Sequence, residues 1–151
     1  MMAKTKPKQD IYSLITMATT KAEIQTIESY NEKTARYGLM LSKDDINELI
    51  ESKYEIMKET GRVELNNDVL STLIYEFCDS PYINQDEYKE TLVYLQDLFY
   101  NIKSECVDPN TKEDLVADDD LIKYMAKQFN NRCGGDLEEL SSVCFEKYYY
   151  M

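Results

Sequence analysis

Cys78-Asp79-Ser80-Pro81-Tyr82 sets a carboxylate, a hydroxyl and a phenol side by side, with the amide of Gln85 just beyond. Asp and Tyr can move protons without histidine, so Asp79 is the candidate acid/base, with Ser80, Tyr82 and Gln85 as hydrogen bonders. Pro81 disfavours helical backbone at Ser80, which makes the segment a break between two helices. The helix start that follows offers free N–H groups and a partial positive charge, suited to an anion or a carboxylate. Arg62 and Glu64 could approach from the preceding turn. The alternative is that Asp79 or Ser80 ties the turn together by bonding to backbone. Asp79→Ala separates the two readings. Lost binding with an unchanged melting temperature marks a functional residue, and a large melting drop marks a structural one.

Other segments carry weaker chemistry. Asp108 to Asp120 lies between two expected helices and invites comparison with a calcium loop. Such a loop needs oxygen ligands at positions 1, 3 and 5, Gly at 6 and Glu at 12. Counting from Asp108 puts Asn110 at 3 but Lys112 at 5 and Glu113 at 6, so calcium is not expected. Cys133-Gly134-Gly135 is the one thiol in an expected loop, beside Arg132. A neighbouring cation lowers a thiol pKa, but no base stands near it in sequence, and an ordinary loop Cys is the simpler reading. The acidic pairs Glu138/Glu139 and Asp118/Asp119/Asp120 imitate a hydrolase acid and base. They also fall at expected helix starts, where negative charge stabilises the helix dipole.

The chain contains no His, which excludes Ser-His-Asp and Cys-His catalysis within it and removes the commonest metal ligand. Its four Cys form no CxxC pair, so no zinc site is expected. No nucleotide-binding Gly loop occurs. The sequence therefore calls for no metal and no cofactor. Net charge is −12, unevenly spread: residues 1–36 carry six Lys/Arg against four Asp/Glu, and the remainder is strongly acidic. An acidic body repels phosphate backbones, so direct nucleic-acid binding is not expected. It attracts basic partners, and it also keeps a chain soluble. Thirteen Tyr with no Trp offer rigid amphipathic contact area of the kind enriched at interfaces.

At 151 residues the chain reads as one domain that buries roughly 70% of its unfolded surface without disulfide or metal. Four Gly and three Pro leave few tight turns, and helix-forming residues dominate. Residues 1–19 read as a basic tail with a short helix over Ile11, Leu14, Ile15 and Ala18. That stretch is too interrupted for a secretory leader, and no run reaches a membrane span, so a cytoplasmic protein is expected.

Residues 20–151 read as a single helical domain. Thr20-x-x-Glu23 and Ser42-x-x-Asp45 are start signals, and Gly38 and Gly61 are stops. Val69, Leu70, Leu73, Ile74 and Phe77 mark a buried helix. Asn84-x-x-Glu87 opens a long helix over residues 85–106, about 33 Å at full length. Its wide stripe of Tyr88, Leu92, Leu95, Phe99 and Ile102 predicts a central position. Asp118 or Asp119 should cap the next helix, and Asp136 the last. The expectation is an all-α, compact single-domain bundle of six to seven helices around that long central one.

One resemblance rests on a specific set of residues. It comprises Gly61-Arg62-Val63-Glu64, Leu73-Ile74-Tyr75, Phe77-Cys78-Asp79-Ser80-Pro81-Tyr82-Ile83, Gln85-Asp86, Tyr88, Glu90-Thr91-Leu92 and Leu98-Phe99-Tyr100. These resemble a family of small proteins from clostridia and related Gram-positive bacteria, known as a domain of unknown function. The likeness runs from about Tyr37 to about Leu140. It implies a single bacterial cytoplasmic domain and brings no activity, ligand or partner with it. The function expected is a non-enzymatic, acidic protein-interaction module that uses the Asp79–Gln85 break and nearby Tyr. The alternatives are a small-molecule or catalytic role at the same break and an acidic mimic of nucleic acid.

Overall fold

A computed structural model describes residues 21–62, 64, 66 and 68–149. The expected tail and short helix over 1–19, the Thr20 start signal, Val63 and Leu65 of an extended stretch, and the Tyr150 end lie outside the described residues.

Within them the architecture is all-helical, with no strand beyond a single bridge between Val107 and Asp114. Helix α1 (residues 21–29) runs almost directly into α2 (Asn31–Thr34) and a 3-10 turn (Ala35–Tyr37). Gly38, at φ 78°, supplies the left-handed residue that ends this segment. Helix α3 (Lys43–Thr60) opens with a full capping box: Ser42 accepts from the Asp45 N–H, and the Asp45 carboxylate accepts from the Ser42 N–H. Gly61, at φ 72°, closes it.

Helix α4 (Asp68–Phe77) buries the expected stripe of Val69, Leu70, Leu73, Ile74 and Phe77. After the break, Asn84 caps a 3-10 turn (Gln85–Glu87) that leads into α5 (Tyr88–Glu105). The long helix therefore begins as a tighter turn and becomes α-helical at Tyr88, not at residue 85.

Helix α5 is the central element: it packs against α3, α4 and α7. Leu92, Leu95, Phe99 and Ile102 are essentially inaccessible, each stabilising the fold by about 1.5–3 kcal/mol through burial. Phe99→Ala would leave a cavity costing about 3–5 kcal/mol. Helices α6 (Asp118–Asn131) and α7 (Leu137–Tyr148) pack on each other, and α6 also packs on α4.

Two expectations about the helix starts part company here. Asp136 caps α7 by accepting from the Glu139 N–H at 3.0 Å, as its spacing predicts. Neither Asp118 nor Asp119 caps α6. Ala117 holds the cap position with no side-chain bond, and Asp118 is already helical. Its carboxylate is drawn instead to Lys103, 2.7 Å away. The bond to the buried ammonium pairs two full charges, where a cap would set the carboxylate against backbone N–H groups alone. Three acidic residues in the first turn still favour the dipole.

Candidate functional site

The break after α4 is built by its own side chains. The Ser80 N–H donates to the Phe77 carbonyl at 3.1 Å, which closes the turn. The buried Ser80 hydroxyl donates to Asn130 Oδ1 on α6 at 2.5 Å and accepts from the Tyr82 N–H at 3.3 Å. Both capacities of that hydroxyl are thereby used inside the fold.

Gln85 is used just as fully. Its Oε1 accepts from the Met40 N–H at 2.7 Å, and its Nε2 donates to the Met40 carbonyl at 2.9 Å. The same stretch is held from its other side. Asn31 bonds the Leu41 N–H and carbonyl, both at 2.9 Å, and Thr34 donates to the Leu39 carbonyl at 2.8 Å. The Gly38–Ser42 connection is thus strapped to the start of α5. Arg36, just before it, acts electrostatically on Cys78 at the end of α4.

Tyr82 packs edge-on to Phe129 of α6, with ring centres 6.2 Å apart, yet remains 46% exposed. The chain passes over it at Gly135, where φ is 83° and a Cβ would lie 2.7 Å from Tyr82 Cγ. Asp79 is exposed at the surface of the break.

Arg62 is not brought to the break. It sits just before α4 and Asp79 just after it, and that ten-residue helix is about 15 Å long. Its guanidinium bonds Asp114 through both terminal nitrogens at 3.1 and 2.8 Å, and Glu64 through Nε at 2.9 Å. Of the five residues that the sequence nominates for binding, Ser80, Gln85 and Arg62 are taken up in internal bonds. Asp79 and Tyr82 face outward.

The most heavily charged constellation is one the sequence did not single out. Lys103, on α5, is fully buried, with its ammonium 3.1 Å from Asp114 Oδ2, 2.7 Å from Asp118 Oδ1 and 2.5 Å from the Val116 carbonyl. Arg62 bonds the same Asp114, and the Tyr100 phenol donates to Glu64 at 3.1 Å. Hydrogen bonding to Arg62 holds the Asp114 carboxyl at about 2, with Lys103 acting the same way. The group clamps the 107–117 loop onto α5 and the end of α3. Every charge in it has a partner, so it reads as structure.

A second buried pair, Lys53 and Glu23 at 3.5 Å, ties α3 to α1. The Tyr54 phenol donates to Glu23 at 2.7 Å, and burial, then Glu23, pushes it up to about 12. In the 107–117 loop, Asp108 spends its carboxylate on the N–H groups of Asn110 and Thr111, at 2.8 and 3.0 Å. No group of three or more potential metal ligands occurs among the described residues. Cys133 is buried rather than loop-exposed, and burial pushes its thiol up, opposite to what a nucleophile needs.

Clefts lie between α3 and α5 (Glu48, Glu51, Glu55, Glu90), beside Thr26 and Asp68, and beside Lys103 and Asp118. None of these is lined by a residue of the break. Among the described residues, no helix is long and apolar enough to cross a membrane.

The surface pattern differs. Among the described residues, six large apolar side chains stand exposed: Tyr37, Met40, Tyr75, Tyr82, Leu115 and Tyr149. The first four lie on the break, one helical turn before it, or on the segment strapped to it. Sequence reading missed Met40 and Tyr75 as surface residues. Tyr75 could have been found, since it projects opposite the stripe of Leu70, Leu73, Ile74 and Phe77.

A sequence model described as "Family of unknown function (DUF6323)" matches residues 26–150. No curated protein and no solved structure matches the chain.

Proposed function

The chain belongs to DUF6323, a family of unknown function, and from that premise we propose that it is a non-enzymatic protein-interaction module that docks its partner on the Asp79–Gln85 break. One observation carries this reading. Among the described residues, four of the six exposed large apolar side chains lie on the break (Tyr82), one helical turn before it (Tyr75), or on the segment strapped to it and its approach (Met40 and Tyr37). Exposed apolar side chains ringed by polar groups are the signature of a docking surface. The hydrogen bonds of Ser80 and Gln85 fix the backbone beneath them, which lowers the ordering cost of binding.

A small-molecule or catalytic role at the same break draws less support, because Ser80 and Gln85 have little bonding capacity left for a ligand. An acidic mimic of nucleic acid would draw on Glu48, Glu51, Glu55 and Glu90, but Lys89 interrupts that row with bonds to Glu48 and Glu90. We infer a cytoplasmic setting, in keeping with four cysteines that are all free thiols.

The test is a tagged pull-down at low and high salt with wild type, Asp79→Ala, Tyr75→Ser and Tyr149→Ser. A partner held by wild type and Tyr149→Ser but lost from the two break variants supports the module. A partner indifferent to the break variants, or none at either salt, removes it.

A further inference from the structure

Resting on that reading, we propose that the partner presents a cationic segment, Lys or Arg interspersed with apolar residues, to the exposed side chains of Met40, Tyr75 and Tyr82 around the break.

The apolar part of the argument is position. Tyr75 points directly away from the α4 core stripe and is 65% exposed. Met40 is 49% exposed although its N–H and its carbonyl are both held by Gln85. An unbranched thioether on a fixed backbone adapts to varied apolar neighbours. Tyr82 is anchored on Phe129 and offers the rest of its ring to solvent.

The charge part is composition. From Glu76 to Tyr88 the chain carries four carboxylates (Glu76, Asp79, Asp86 and Glu87) and not one Lys or Arg. Asp79, Asp86 and Glu87 are all exposed, and none of the three forms an ion pair among the described residues. Arg36, just before the strapped segment, lies over the ring of Tyr37 at 4.9 Å. A partner with acidic or uncharged edges would meet unbalanced carboxylates around the apolar centre. A cationic one is attracted at range and aligned on contact.

Two other occupants are conceivable: the chain's own basic residues 1–20, and a second copy. The second copy brings the same carboxylates face to face, which opposes it.

The experiment installs a photocross-linking phenylalanine analogue at position 75, and separately at 149 as control, in the full chain inside its native host. Cross-linked peptides are identified by mass spectrometry. The expected capture at 75, and not at 149, is a segment of another protein with net positive charge and apolar residues. Its yield should fall about tenfold in Asp79→Asn/Asp86→Asn/Glu87→Gln, and likewise in lysate at about 0.5 M salt.

Capture at 75 of a neutral or acidic segment, or a yield unmoved by the triple variant, overturns the cationic partner while leaving the interaction module standing. Capture of residues 1–20 or of a second copy overturns it too. No capture at 75 above the control removes both readings.

Discussion

The side-chain amide of Gln85 grips the backbone of Met40 on both sides of its Cα, its oxygen on the Met40 N–H at 2.7 Å and its nitrogen on the Met40 carbonyl at 2.9 Å. A side chain that bonds both the N–H and the carbonyl of one residue acts as a surrogate strand. It closes a 45-residue loop of chain with two neutral bonds. Gln85→Ala should therefore cost about 1–2 kcal/mol, while Gln85→Glu keeps the acceptor and loses the donor. Urea denaturation measures the cost, and faster amide exchange confined to residues near Met40 identifies its cause. Unchanged exchange there would mean that Asn31 and Thr34 hold the segment alone.

Lys103 makes a larger prediction. Its ammonium is buried between Asp114, Asp118 and the Val116 carbonyl. Lys103→Met keeps the stem but leaves two carboxylates facing Arg62 alone. Breaking a buried pair from one side is far costlier than never having it. The loss should be about 3 kcal/mol, at the low end because both carboxylates are partly open to water. Replacing Lys89, whose partners Glu48 and Glu90 are exposed, should change the melting temperature little. Equal effects at the two lysines would show that burial does not govern the clamp.

The same clamp sets an acid limit. Asp114 is held at about 2, first by the Arg62 hydrogen bond, against an ordinary value of 3.8. A carboxyl depressed in the folded state contributes stability that is fully present above pH 4. That contribution is lost as pH falls from 4 toward 2. Melting temperatures of wild type and Asp114→Asn should therefore converge across that window and stay parallel above it. Asp108, lowered by the N–H groups of Thr111 and Asn110, leaves a residual acid slope in the variant. A gap that stays constant down to pH 2 would contradict the assignment.

Gly135 and Gly134 both have positive φ, yet only one of them meets a neighbour. Gly134→Ala has open space and should cost about 1 kcal/mol for its left-handed backbone. Gly135→Ala adds a collision with Tyr82 and should cost about 3 kcal/mol or more. The nearest obstructing atom is Tyr82 Cβ, so Tyr82→Ala should not rescue it and Tyr82→Gly should. Thermal melts of the single and double variants decide, and rescue by Tyr82→Ala would place the clash in the ring.

These contrasts mark where the sequence was legible. Ser42/Asp45, Gly38, Gly61, Asn84 and Asp136 announced the helix ends, because capping is a local matter of residue type and spacing. The stripe from Tyr88 to Ile102 announced the central helix for the same reason. The site was half legible. Pro81 located the break, but the partners of Ser80 and Gln85 lie 50 and 45 residues away, and no spacing encodes them. Lys103 went unremarked in the sequence, although a Lys four positions after Phe99 sits on the core face and needs a buried counter-charge. Lys53, set between Leu49/Ile50 and Ile56/Met57, carries the same signal and leads to Glu23.

Asp97 turns the acid argument round. It is partly buried on α5, and burial, then the charge of Glu59, raises its carboxyl above the ordinary 3.8, while Ser52 pulls weakly the other way. A carboxyl raised in the folded state costs stability when it is ionised. That cost is absent below pH 4, where both states are protonated, and present above the raised value. Asp97→Asn keeps the shape and removes the charge, so it should raise the melting temperature at pH 7. The gain should fade as the solution is acidified toward pH 4. Glu59→Gln should give a smaller gain with the same sign, since it relieves only the second cause. Melts of both variants at pH 7 and at about pH 4 are sufficient. A loss at pH 7 would mean that the Ser52 bond to the ionised carboxylate outweighs its burial, and that the α3–α5 seam is stabilised, not strained, by its negative charge.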